Sequence, residues 1–133
     1  MSADAKTETA LNGLKVLDLS RILAGPSATQ ILGDLGADII KIEHPDGGDD
    51  TRGWGPPFMH SPDGDRIEAS YFACCNRNKR SVVLDFNNIE DRDTLIKLAS
   101  KADVLVENFK PGSLAKFGLD FESLQKINSS FLA

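Results

Sequence analysis

The sequence predicts a doubly wound α/β domain, a parallel sheet with flanking helices. Three observations carry that expectation. Short β-rich runs alternate with helical stretches from Leu14 to Glu107. About a dozen helical residues separate the first run from the second and the third from the fourth, as parallel pairing with right-handed crossovers requires. Each run carries three β-branched or leucine residues within five or six positions, as a buried strand does.

Lys15–Leu19 (KVLDL) reads as a buried strand. Ala24, Ala28, Ile31, Leu32 and Leu35 then recur at the spacing of one helical face. Pro26 suits the first turn of that helix and Gly36 the residue just past its end. Asp38–Glu43 is a second strand. From His44 to about Ser70 the chain is rich in Gly, Pro and Asp and has no period, which predicts a long functional or partly disordered loop. Ser81–Asp85 is a third strand. A helix from about Ile89 to Lys101 carries Leu95, Leu98 and Ala102 on one face, with acids first and lysines last to match its dipole. Asp103–Glu107 is a fourth strand. Two short helices follow, Pro111–Phe117 closed by Gly118, and about Asp120–Asn128. The closing Ser-Ser-Phe-Leu-Ala reads as a fifth strand beginning, so the sheet is expected to be truncated before it is complete.

The chain has 133 residues, 41% hydrophobic and 26% charged, with a net charge of −5. That suits one soluble domain, residues 13–133, behind a polar, disordered tail of residues 1–12. The acidic balance argues against nucleic acid or an anionic membrane as partner, and no apolar run is long enough to span a bilayer. Cys74 and Cys75 are the only cysteines, and they are adjacent. This points to a reducing compartment, cytoplasmic or the mitochondrial matrix.

An anionic ligand therefore needs a local basic cluster. Ligands of such sheets bind beyond the carboxyl ends of the strands, here Ser20–Pro26, His44–Arg52, Asp85–Asn88 and Asn108–Gly112. No GxGxxG or Walker loop is present, and His44 and His60 stand alone, so neither a dinucleotide fingerprint nor a metal site is expected. Arg77, Lys79 and Arg80 are candidate phosphate contacts, since arginine forks and a lysine point charge suit phosphate. A solvated turn explains the same tract equally well. Asn108-Phe109-Lys110-Pro111-Gly112 links a strand to a helix start. It reads either as an anion seat with Phe109 over a flat ring, or as a plain turn with Phe109 as a staple. Asp18, Asp85 and Glu107 lie near strand ends and Glu90, Asp91 and Asp120 look like caps, so no acid is singled out as a nucleophile. The residues alone thus predict an α/β domain that binds a phosphorylated ligand.

Taken together, LKVLDLSRILAGP (14–26), ILGDLGADIIKIEHP (31–45), GDDTRGWGPP (48–57), Tyr71-Phe72, NRNKRSVVLD (76–85), DVLVENFKPG (103–112) and Gly118-Leu119 resemble the family III CoA-transferases, in order, over about Leu11 to Asn128. The resemblance implies a Rossmann-like, N-terminal coenzyme-A-binding portion of an enzyme that moves CoA from an acyl-CoA to a carboxylate. The reaction runs through an aspartyl-CoA thioester. The aspartate of that reaction lies beyond the strand beginning at Phe131, so no catalytic residue is expected in this chain. No cofactor is implied, because the CoA thioester is itself a substrate. The full-length form is expected to be an interlocked homodimer.

Carried over by motif, Ile22, Leu23 and Ala24 match a segment near the CoA thiol end. His44 stands where one branch has an arginine at the nucleotide. Leu84, Asp85, Phe86 and Asn87 match the adenine-contacting segment. Asn108, Phe109 and Lys110 match a loop along CoA, and Lys116 matches a phosphate contact. Leu23 replaces a glutamine of the formyl-CoA and oxalate branch, and Asn87 replaces its lysine, so oxalate is disfavoured as acceptor. The GDDTRGWGPP loop favours the dicarboxylate-using branch over the related acyl-CoA racemases, which shorten it. Two rival readings are an acyl-CoA racemase-like enzyme and a non-catalytic nucleotide-binding module.

Overall fold

The computed structural model describes residues 8–130 and 132. The elements run β1 (Lys15–Asp18), α1 (Ala24–Asp34), β2 (Asp38–Glu43), the one-turn helix η1 (Asp50–Gly53), β3 (Phe58–His60), β4 (Arg66–Ala69), α2 (Ser70–Ala73), β5 (Lys79–Val83), α3 (Ile89–Ala99), β6 (Val104–Val106), η2 (Ala115–Phe117) and α4 (Phe121–Gln125). Strands β1, β2, β5 and β6 form one parallel sheet in the order β5-β2-β1-β6. The first crossover moves away from β1 in one direction, and the crossover through α3 returns past it. Right-handed connections therefore place α1 and α3 on opposite faces. The expected α/β class and its parallel sheet are thus the observed ones.

Alternation along β1 divides the two faces. Leu17 and Leu19 join Ile42, Leu84, Leu95, Ala99, Leu105, Leu114, Leu119 and Leu124 in the larger core, under α3 and α4. Val16 points the other way, into a small cluster with Ala37 and Ile39. Leu11 packs against this cluster and donates its N–H to the Leu35 carbonyl at 2.9 Å. The packed unit therefore includes Leu11, within the stretch 1–12 expected as a tail; residues 1–7 of that stretch lie outside the described residues.

Most of the apolar stripe expected of α1 lies on its outer face, and only Leu32 reaches the cluster of Val16, Ala37 and Ile39. Ile31 and Leu35 are 58% and 45% exposed, whereas Gly25, Pro26, Thr29 and Gln30 are buried. The reason is what occupies the sheet beneath: Asp18 and Lys79 meet there and take polar partners from the helix. The helix also comes close, since a side chain at Gly25 would collide with Ser20. α3 is capped by Asn88, which accepts the Glu90 and Asp91 N–H groups; Asp91 instead accepts the Asp85 N–H at 2.8 Å. Asp120 does cap α4. Gly118 closes η2 at φ 68°, a left-handed position that favours glycine.

The long loop contains structure that the missing period concealed. η1 is capped by Asp49, and β3 and β4 form an irregular antiparallel hairpin. Beside β6, Leu132 makes a parallel bridge to Val104, the place expected for a fifth strand; Phe131 lies outside the described residues.

Candidate functional site

A cleft opens at the carboxyl ends of the parallel strands, lined by Leu19, Arg21, His44, Leu84, Phe86 and Phe109 among others. Four of the sequence-predicted residues, His44, Leu84, Phe86 and Phe109, are thereby brought together from three different loops. Phe86 and Phe109 lie 6.2 Å apart between ring centroids, and Phe117 extends the aromatic group from the other side of Phe86 at 5.9 Å. Arg21 stands over Phe109 at 5.0 Å, so the cleft combines flat apolar surface with the Arg21 guanidinium.

The loop between β1 and α1 is the most tightly held part of the site. Side chains satisfy its backbone almost group by group. Asp18 accepts the Ser20 N–H at 2.9 Å, and the Lys41 ammonium donates to the Ser20 carbonyl at 2.9 Å. The Asn108 amide takes the Arg21 N–H at 2.9 Å and gives an N–H to the Arg21 carbonyl at 2.8 Å. Asp49 accepts the Ile22 N–H at 3.2 Å. Ile22 sits at φ 70°, a left-handed conformation that a β-branched residue adopts only when its surroundings impose it. Asn108 thus ties together the loops after β1 and β6, the two strands flanking the point where strand order reverses.

Two ion pairs lie wholly inside this scaffold. Lys41 meets Asp49 at 2.9 Å and Lys79 meets Asp18 at 3.0 Å, with no side chain more than 2% exposed. Burial alone would raise the Asp49 carboxyl, but hydrogen bonds from Lys41 and Thr51 outweigh it and hold the group below its ordinary range. Glu43 behaves likewise: its burial is outweighed by the Arg52 fork, at 2.7 and 2.6 Å, and by Ser81. Burial pushes the Lys79 ammonium down, and Asp18 only partly restores it.

The basic tract is not a cluster in three dimensions. Arg77 pairs with Asp34 at 2.6 Å, Arg80 with Asp38 at 2.7 Å, and Lys79 turns inward to Asp18. Alternation along β5 sends neighbouring side chains to opposite faces, and each cation meets an acid of its own. Lys110 and Lys116 are exposed on the segment after β6, with the Lys116 ammonium 4.7 Å from the Phe117 ring centroid. Ile22 is half-buried, and Leu23 and Ala24 are exposed at the start of α1. Asp85 accepts the N–H of exposed Asn87 at 2.8 Å, shaping the turn beside Phe86. His44 is exposed and accepts the Asp46 N–H on Nδ1 at 3.0 Å, which leaves Nε2 to carry the ring proton. Arg21, Lys41 and Asp49 were not selected by sequence. The available signal was Lys41 itself, a charge inside the apolar run Ile39–Ile42.

Comparison with known proteins agrees with this architecture. Residues 11–131 match the model of CoA-transferase family III. A succinate–glutarate CoA-transferase of Agrobacterium fabrum is 51% identical over 92% of this chain, and the match covers 30% of that protein. The succinyl-CoA:glutarate CoA-transferase of Mus musculus is 45% identical over 94% of the chain and 27% of its own length. A CAIB/BAIF family protein from Brucella suis superposes with a TM-score of 0.85 at 56% identity, over 91% of this chain and 31% of that one. The chain belongs to CoA-transferase family III. It spans less than a third of the length of these relatives.

Proposed function

We propose that this chain supplies the coenzyme-A-binding portion of an enzyme that transfers CoA from an acyl-CoA to a carboxylate, a dicarboxylate of the succinate or glutarate type. The convergence of His44, Leu84, Phe86 and Phe109 on one cleft supports this most directly. The phenylalanines offer flat surface for an adenine, and the exposed cations Lys110 and Lys116 stand on the adjoining segment. The dicarboxylate assignment rests on likeness to relatives named for succinate and glutarate. In this reading an aspartate outside these residues attacks the thioester, giving a mixed anhydride and then an aspartyl-CoA thioester. Ile22, Leu23 and Ala24 hold the thiol end of CoA in a fixed loop. Arg77, Lys79 and Arg80 are proposed as structural cations, given the acids that engage them. The whole protein is proposed to act as a homodimer, in the cytoplasm or the mitochondrial matrix.

Titration calorimetry tests the assignment. CoA should bind more tightly than NAD, because no glycine fingerprint seats a dinucleotide pyrophosphate. Lys116→Ala should weaken CoA by about tenfold, the equivalent of one charge-assisted contact of roughly 1.5 kcal/mol. Tighter binding of NAD, or unchanged CoA affinity in the variant, would show the assignment of the cleft or of Lys116 to be wrong.

A further inference from the structure

Cys74 and Cys75 take no part in the function proposed above, yet their surroundings are highly ordered. Both are free thiols, Cys74 exposed and Cys75 buried, and their sulfurs lie 3.3 Å apart. Around them the backbone is fixed from several sides. The Cys74 N–H donates to the Ser70 carbonyl at 3.0 Å and the Cys75 N–H to the Phe72 carbonyl at 3.2 Å. Gln30, reaching over from α1, donates to the Cys74 carbonyl at 2.9 Å and accepts the Arg77 N–H at 3.0 Å. The Cys74 thiol points its proton to the Tyr71 carbonyl at 3.0 Å, and Cys75 accepts the Ser27 hydroxyl at 3.7 Å. One sulfur is open to solvent, and the second stands directly behind it.

We propose that this pair is a preformed two-sulfur site for a soft, trivalent thiophile of the arsenic(III) class. Three features select that chemistry. A disulfide needs its sulfurs at about 2.05 Å and its Cα atoms usually at about 4.4 Å or more. Adjacent residues are held at about 3.8 Å across a trans peptide. Zinc calls for three or four ligands, and no group of three or more His, Cys, Asp or Glu with metal-binding potential exists among the described residues. A pyramidal arsenic centre needs only two sulfurs and one group of its own, and thiol sulfur is the soft ligand it prefers. The hydrogen bond with Cys75 pushes the Cys74 thiol up, so the exposed sulfur enters as a thiol. An organoarsonous acid then condenses with the pair. Two As–S bonds form, two As–OH and two S–H bonds break, and two waters leave, with arsenic trivalent throughout.

Phenylarsine oxide, which hydrates to such an acid, is the probe. The folded chain should take up one equivalent by intact mass and lose maleimide labelling at the exposed Cys74. Bidentate retention should make release by excess glutathione about a hundredfold slower than from Cys74→Ser or Cys75→Ser, while a dithiol strips the adduct promptly. Cys74→Ser changes an exposed group, so it keeps the comparison sound should the buried Cys75→Ser variant fail to fold. Release from the native chain as fast as from Cys74→Ser would overturn the proposal. So would equal retention by the urea-unfolded chain, because the site would then owe nothing to the fold. The readout is independent of CoA binding, so this site and the CoA cleft stand or fall separately.

Discussion

At the scale of single residues, charge buried beneath a strained loop dominates the site. Asp49 neutralises Lys41, caps η1 and accepts the N–H of Ile22, so one carboxylate fixes three segments. Asp49→Ala strands a buried ammonium and should cost about 3–5 kcal/mol, read as a fall in urea midpoint. The double variant Lys41→Met, Asp49→Leu should recover much of that loss, because it removes the unpaired charge; equal destabilisation in both would contradict this account. Acidity probes the same groups. Asp49 and Glu43 sit below their ordinary values in the folded chain and return to about 4 on unfolding. A depressed folded value gives stability that is complete above the unfolded value and is lost as pH falls through the folded one. The urea midpoint should therefore hold from pH 7 to about 5 and drop steeply below 4. A midpoint independent of pH down to 3 would refute the linkage.

At the scale of elements, strand and helix order was legible because short β-branched runs such as 38–43 contrast with the three- and four-residue apolar spacing over 89–99. Facing was less legible. Four of the five residues in the apolar stripe, Ala24, Ala28, Ile31 and Leu35, face outward because the sheet beneath presents the Asp18–Lys79 pair, and only Leu32 packs inward. The informative stripe was the small one, Gly25, Thr29 and Gly33, at four-residue spacing. The hairpin of β3 and β4 was hidden for a different reason: its strands have three and four residues, mostly exposed, with a register shift between them. No apolar alternation can form there. The site divides the same way. Motif resemblance selected His44, Leu84, Phe86, Asn108 and Phe109, whereas Asp49 and the bonds by which Asn108 holds the Arg21 backbone act through groups that a sequence does not display. Gly25→Ala tests the helix seating directly. Its added carbon would strike Ser20, and overpacking of this kind should cost about 1–3 kcal/mol. Thermal melting that stays within error of the parent would show the contact to be slack.

At the scale of the whole molecule, the two faces of the sheet differ in what they leave uncovered. The α3 side is closed by a continuous core reaching through α4 to Leu114 and Leu119. The α1 side carries Ile31 and Leu35 outward, 58% and 45% exposed, on a helix whose inner face is already occupied. Ile127 and Leu132 add apolar surface, exposed by 48% and 71%, and Leu132 bridges Val104 of β6. Exposed apolar surface and sheet edges both favour association between copies. A net charge of −5 opposes it, but only weakly once physiological salt limits repulsion to about 8 Å. The isolated chain should therefore self-associate, with a weight-average mass that rises with concentration in sedimentation equilibrium. Ile31→Lys with Leu35→Glu should lower that association if the α1 face drives it, and should leave it intact if the β6 edge does. A mass that stays at one 14.4 kDa chain up to high concentration would show that neither surface seeks a partner.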